Sequence, residues 1–329
     1  MAVAQRYDYI DTLKGGAMIF VVLYHSCFLT TFYAPTISFV PLFFMVSGFL
    51  FKPDVSWRDL LLRNMRVLLL PYLVYNILCA AFYNSLHAIG VNMPLKGFEY
   101  IFYTTHAENI PNVTTWYLLV LFFVVLAFKS VLSLFSVFKP WVRYCLIVIV
   151  LLLAGYIGYK LALANIYLPY LFDIFGLALL FFGMGYLFSL CITKSPSQHD
   201  RIGFLLIVPL MVVYILLRGY VSMAEGAYNL PFWRLLLMII ALFVSQLYLC
   251  KYVGYVPFVT YLGRYSLIVL CTNMMVIPIM MGISLRFFDY DQAVVASSVA
   301  TLIVLRWVVI PFCIKFMPYV SGIKPKPKQ

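Results

Sequence analysis

Charge is scarce in this sequence: Asp, Glu, Lys and Arg together make 10% of 329 residues, and the acidic ones number 11. Soluble proteins carry about 25% charged residues, so no stretch can clothe the surface of a soluble domain. Histidines are few as well. The seven cysteines (Cys27, Cys79, Cys145, Cys191, Cys250, Cys271, Cys313) stand singly in or beside apolar segments. Without a C-x-x-C pair or metal-ligand spacing, they exclude zinc-ribbon and dithiol-redox classes and read as packing residues; no metal is implied. Internal repeats, low-complexity tracts and heptads are lacking too. So is a secretory leader: Tyr24-His25-Ser26 interrupts the first apolar run, and Tyr33-Ala34-Pro35 gives no small-residue cleavage site, so that run is expected to be a retained helix.

What is present is apolar. Hydrophobic residues make 65% of the chain and its mean hydropathy is +1.00. A bilayer core is crossed by about 20 apolar residues, and such runs recur near 15–32, 38–51, 66–90, 115–138, 142–161, 165–191, 202–219, 231–250, 258–282 and 292–317. The expected fold is an all-α integral membrane protein, a bundle of about ten transmembrane helices forming one domain over 1–329. The net charge of +12 could suggest nucleic acid, but its distribution points to topology. With a cytoplasmic N-terminus, all of the basic residues except Lys96, Lys160, Arg218, Arg234, Arg286 and Arg306 fall on the inner side. The positive-inside rule then predicts both termini cytoplasmic, with the Lys324-Pro-Lys-Pro-Lys328 tail as an anchor; the partner of this charge is the bilayer, with no nucleic acid. The longest outer loop, 91–114, carries Glu99, His106 and Glu108 and suits a lid or an acceptor-binding segment. Its Asn112-Val-Thr114 sequon carries no weight, since one such tripeptide is expected by chance.

Ionisable side chains inside a bilayer cost at least a few kcal/mol each and are functional candidates by default. Here they are His25, Asp173 and Arg234, with Arg63 and Arg66 at the mouth of the third helix. At about 100° per residue, Asp11, Lys14 and His25 share one helical stripe, with His25 roughly 16 Å beyond Lys14. A neutral imidazole at that depth can take the proton of an attacking hydroxyl. Asp11 lies some 20 Å below it along the helix, too far to orient the ring directly, so Asp11 and Lys14 serve the opposite end of the site or each other. Arg63 and Arg66 share a face suited to bidentate phosphate binding, or are simply topogenic charge. Asp173 would be paired, with Arg234 as one partner, or would contact an acceptor. Trp116 and Tyr117 are either interfacial belt residues or a stacking surface. Ser47-Gly48 permits close packing; a serine nucleophile has no base identifiable in sequence.

Asp11-Thr-Leu-Lys14-Gly-Gly ending in Val21-Val-Leu-Tyr-His25 resembles the start of the acyltransferase-3 membrane O-acyltransferases, in which a basic residue precedes a histidine with ten residues between. The resemblance continues through Phe43-Phe-Met-Val-Ser-Gly-Phe-Leu50, Arg63-x-x-Arg66 before Leu70-Pro71-Tyr72, Trp116-Tyr-Leu118, and Asp173 with Phe181-Phe-Gly-Met-Gly185. The last is similar to the fucose 4-O-acetylase-like subgroup. One departure is Asn273, where many members carry a second histidine in the ninth helix.

The resemblance implies acetyl transfer from cytoplasmic acetyl-CoA to a sugar or polysaccharide hydroxyl at the bacterial inner membrane. His25 and Asp11 are then the candidate catalytic residues, Lys14, Arg63 and Arg66 hold the coenzyme, and Trp116, Tyr117, Asp173 and Asn273 contact the acceptor. No stretch is left for an appended esterase-like domain, so membrane residues are expected to complete the transfer. A transporter or flippase for an acylated or lipid-linked saccharide is the alternative, although matched interrupted helices in two halves are not seen. A non-catalytic assembly partner is a third reading. Oligomeric state is not legible.

Overall fold

The computed structural model describes residues 7–32, 39–192, 201–217, 219 and 221–322. The Lys324–Lys328 anchor, the Tyr33-Ala34-Pro35 segment, Arg6, Lys194 and Arg218 lie outside the described residues. Helices dominate: α1 Asp8–His25, α2 Val40–Phe49, α3 Trp57–Ala88, α4 Val113–Val137, α5 Pro140–Leu163, α6 Phe172–Cys191, α7 Arg201–Leu216, α8 Phe232–Val253, α9 Pro257–Arg264, α10 Ser266–Ser284 and α11 Tyr290–Phe316. Among the described residues, seven (α3, α4, α5, α6, α8, α10 and α11) are long and apolar enough to cross a membrane. The expected count of about ten included three elements that fall short of that standard. α2 has 10 residues, α7 has 16, and α1 carries Asp8, Asp11 and Lys14 within its 18.

The long helix α3 begins on a Ser56 cap, whose hydroxyl accepts from the Asp59 amide at 3.1 Å and donates to the Asp59 carboxylate at 2.8 Å. The first bond satisfies one of the amides that a helix start leaves open, and the second holds the capping hydroxyl in place. Two helices contain a wide π turn, Met65–Leu69 in α3 and Leu305–Val309 in α11. Each ends just before a proline, in Leu70-Pro71 and Ile310-Pro311. A proline ring clashes with the carbonyl four residues earlier and cannot bond to it. The π turn widens the backbone at that point, with the Leu70 amide bonding Met65 O and the Ile310 amide bonding Leu305 O. The third helix therefore starts well before 66, and the Arg-x-x-x-x-Pro-aromatic pattern of Arg66–Tyr72 recurs at Arg306–Phe312, a short recurrence inside a chain without longer repeats.

Close crossings set the bundle. A Cβ on Gly15 of α1 would overlap Val259 O, and one on Gly263 of α9 would overlap Asp11 O. The two backbones touch, as small residues allow in membranes. Gly48 of α2 meets Phe182 O of α6 in the same way. Around that second crossing Phe51, Phe128, Phe182 and Tyr186 pack edge to face, with centroids 5.2–6.2 Å apart, a favoured aromatic geometry.

Candidate active site

The site begins with α1. Lys14, Met18, Val21 and His25 recur at spacings of four, three and four, one face of a helix, and all four line a cavity of about 190 Å³. Its other walls are Val40, Phe43, Val46 and Ser47 of α2, Val67 and Leu68 of the first π turn, Thr114 and Trp116 to Leu118 of α4, and Ser266, Leu267 and Leu270 of α10. A water occupies only about 10–15 Å³ on this measure, so the cavity has room for a substrate segment. Apolar side chains supply most of the lining, and Lys14, His25, Ser47, Thr114, Tyr117 and Ser266 are the few polar groups.

Of five tryptophans, Trp57, Trp141, Trp233 and Trp307 are 45–70% exposed, as in an aromatic belt, whereas Trp116 is 4% exposed. The belt reading of Trp116 and Tyr117 is thereby corrected: both rings belong to the interior. Tyr117 OH donates to Phe43 O at 3.2 Å and lies 3.0 Å from Ser47 Oγ. The structure thus brings Ser47 and His25 to one cavity, an association that their separation in sequence concealed. No hydrogen bond to another described residue fixes the His25 ring, which meets Tyr24 edge-on at 5.3 Å.

Asp11 stands elsewhere. It is buried at the α1–α9 crossing, 3.0 Å from Lys14 Nζ and 3.8 Å from Arg264 Nε, while Arg264 also reaches Asp8 at 3.1 Å. Thr12 donates to Gly254 O at 2.8 Å and lies 2.7 Å from Thr260 Oγ1. This polar knot explains why an acidic residue can be buried there, and it holds Asp11 at the base of α1, beside Lys14 but not among the residues that line the cavity. The sequence reading missed Arg264, whose only signal was its place after Gly263.

Arg63 is exposed on α3 and Arg66 is half-buried, its guanidinium 5.2 Å from the Tyr319 ring. Neither lines the cavity, but Val67 and Leu68 immediately after Arg66 do. Arg306 was expected on the outer side; instead its guanidinium lies over Tyr261 of α9 at 3.3 Å. Since α9 packs on the Asp11–Gly15 part of α1, Arg306 belongs to the Lys14 end of the bundle.

Asp173 pairs with no arginine among the described residues, and Arg234 is exposed. Asp173 Oδ1 accepts from the Leu168 amide at 3.0 Å. It braces a turn in which Tyr170 and Leu171 both hold left-handed backbone, φ 56° and 63°, a conformation that costs non-glycine residues energy. Asp173 does not line the cavity. Asn273 is wholly buried, on the same stripe of α10 as the lining residues Ser266 and Leu270, and neither its Oδ1 nor its Nδ2 has a partner among the described residues. Thr301 Oγ1 of α11 is likewise buried and has no hydrogen-bond partner among the described residues. Such groups are costly in an apolar interior, and neither residue is among those that line the cavity.

The sequon is structural. Asn112 Nδ2 donates to Cys271 O at 2.7 Å, its amide donates to Asn76 Oδ1 at 2.9 Å, and Thr114 donates to Leu270 O at 2.6 Å. This fully buried network ties the loop ahead of Trp116 to α3 and α10. Asn112→Ala is expected to destabilise the protein by about 1–3 kcal/mol, because Cys271 O and the Thr114 hydroxyl lose side-chain partners while the backbone bond to Asn76 remains; a lowered melting temperature of the detergent-solubilised protein checks it. Nearby, Pro278 cannot donate to Met274 O, and Tyr83 OH supplies the missing bond at 2.9 Å.

A multi-pass helical membrane protein with a lysine, a histidine and a serine in one apolar cavity is the class defined by this arrangement. No group of three His, Cys, Asp or Glu suited to a metal occurs among the described residues. The sequence model of the acyltransferase domain of the acyltransferase-3 type matches residues 7–315, nearly the whole chain, and the protein belongs to that family. No curated protein and no solved structure matches it.

Proposed function

We propose that this acyltransferase moves an acetyl group from acetyl-CoA to a hydroxyl of a cell-surface or lipid-linked sugar, as in the fucose 4-O-acetylase-like branch that its motifs resemble. The observation that carries the reading is the cavity that joins Lys14, His25, Ser47 and Trp116–Tyr117. The donor enters at the Lys14 end, where Arg63 and Arg66 stand ready for its phosphates; the acceptor enters past Trp116 and Tyr117, with Asn273 free to bond it. His25 takes the acceptor proton as the oxygen attacks the thioester carbonyl. The carbon–sulfur bond then breaks, and the imidazolium returns the proton to the coenzyme thiolate.

In this reading α1, α2 and α7 complete ten crossings, the Lys14 end faces the cytoplasm with both termini, and the membrane is the bacterial inner membrane. The test is transfer of radiolabel from acetyl-CoA into envelope saccharide by membranes bearing the protein. Label that appears in the saccharide only when the protein is present supports the proposal; coenzyme consumption without sugar labelling would point to another acceptor, and no consumption would overturn it.

A further inference from the structure

Beyond α11, outside the 7–315 span of the family match, the chain turns back on itself. Ser321 and Gly322 close this turn through Ser321 N to Met317 O at 3.0 Å and Gly322 N to Tyr319 O at 3.4 Å. Ser321 is buried, its hydroxyl 3.3 Å from Tyr75 OH, which also bonds Cys313 Sγ at 3.6 Å. Gly322 has φ +69°, and a Cβ there would lie 3.0 Å from Leu267 Cδ2 and 3.7 Å from Val67 Cγ1. Leu267 and Val67 are both cavity-lining residues, so this strap packs against the outer side of the cavity wall.

The strap is fixed at its base by Ser321 and Gly322, and it presents the Tyr319 ring to the Arg66 guanidinium at 5.2 Å. Arg66 precedes Val67 directly, at the widened backbone of the π turn. A half-buried arginine without such a contact would sample several rotamers. One stacked on an aromatic face is held with its N–H edges free, because cation–π contact uses the face of the guanidinium and leaves its donors for an anion. Resting on the acyl-CoA reading above, we infer that Tyr319 is a positioning residue for donor recognition, holding Arg66 toward a phosphate of the coenzyme.

The inference is tested with the full chain reconstituted in lipid and two donors, acetyl-CoA and S-acetyl-N-acetylcysteamine, a thioester without phosphates. Tyr319→Ala is expected to raise KM for acetyl-CoA about two- to five-fold, the scale of an exposed cation–π contact, with kcat and the KM for the short thioester unchanged. Tyr319→Phe, which keeps the ring, behaves as wild type. An unchanged KM for acetyl-CoA in Tyr319→Ala overturns the inference, and so does an equal rise for both donors, which would indicate general loosening of the strap. If the wild type consumes neither donor, the acyl-CoA reading falls and this inference with it; if it consumes both while the variants match it, only the inference falls.

Discussion

His25→Ala is expected to abolish most acyl transfer, by about 10²–10⁴-fold, the usual contribution of a positioned general base, while leaving the protein folded. Both halves follow from its surroundings. The imidazole faces the cavity on the stripe of Lys14, Met18 and Val21, so its loss removes the general base of the proposed mechanism. Its truncation also leaves no described group without a hydrogen bond, because none ends on it. Matched yield and melting temperature with lost transfer is the expected pair of results; a variant retaining more than a tenth of the activity would remove His25 from the mechanism. Ser47→Ala measured beside it separates two chemical routes. Direct attack by the acceptor survives that change within about ten-fold, as expected when only the hydrogen bond of Tyr117 to Ser47 is lost. A route through an acylated Ser47 does not survive it.

The pattern of apolar runs made the membrane fold legible, and the Lys14 to His25 spacing made one wall of the cavity legible, because both depend only on distances along single helices. Contacts between helices were hidden. Asp11 was visible as an acidic residue on the correct face, but Arg264, which shares its charge, lies 253 positions away in the chain. Trp116 had the sequence context of a belt residue, and its burial beside the Phe44 ring of α2, 6.3 Å away, is a contact between helices that the sequence does not display. Arg306 was separated from the Lys14 end because a reading along single helices cannot register the contact of its guanidinium with Tyr261 of α9. Asp173 and Arg234 lie toward the same end of the bundle by sequence, yet the carboxylate is taken by a local backbone amide at Leu168, a partner that pairing opposite charges by eye does not consider.

The α1–α9 crossing is the point on which the site depends most, so Gly263→Val is expected to cost about 3 kcal/mol or more, the upper range of overpacking. A flexible side chain in the way could rotate, but here the added carbons meet the Asp11 carbonyl and the backbone of Gly15, and only separation of the two helices makes room. Separation breaks the Thr12 bonds to Gly254 and Thr260 and parts Arg264 from Asp8 and Asp11. Asp11 and Lys14 would then remain as a buried pair without the second cation, and the face bearing Lys14 and His25 would move away from Ser47 and Tyr117. Gly16→Ala is the matched control, since nothing lies within 4 Å of a Cβ at that position and alanine favours a helix by about 1 kcal/mol over glycine. Thermal unfolding in detergent should show Gly263→Val melting far below wild type or failing to extract as a single species, with Gly16→Ala at or above wild type. Equal melting of the two variants would mean that the crossing is not a backbone contact, and the placement of the cavity wall by α9 would have to be abandoned.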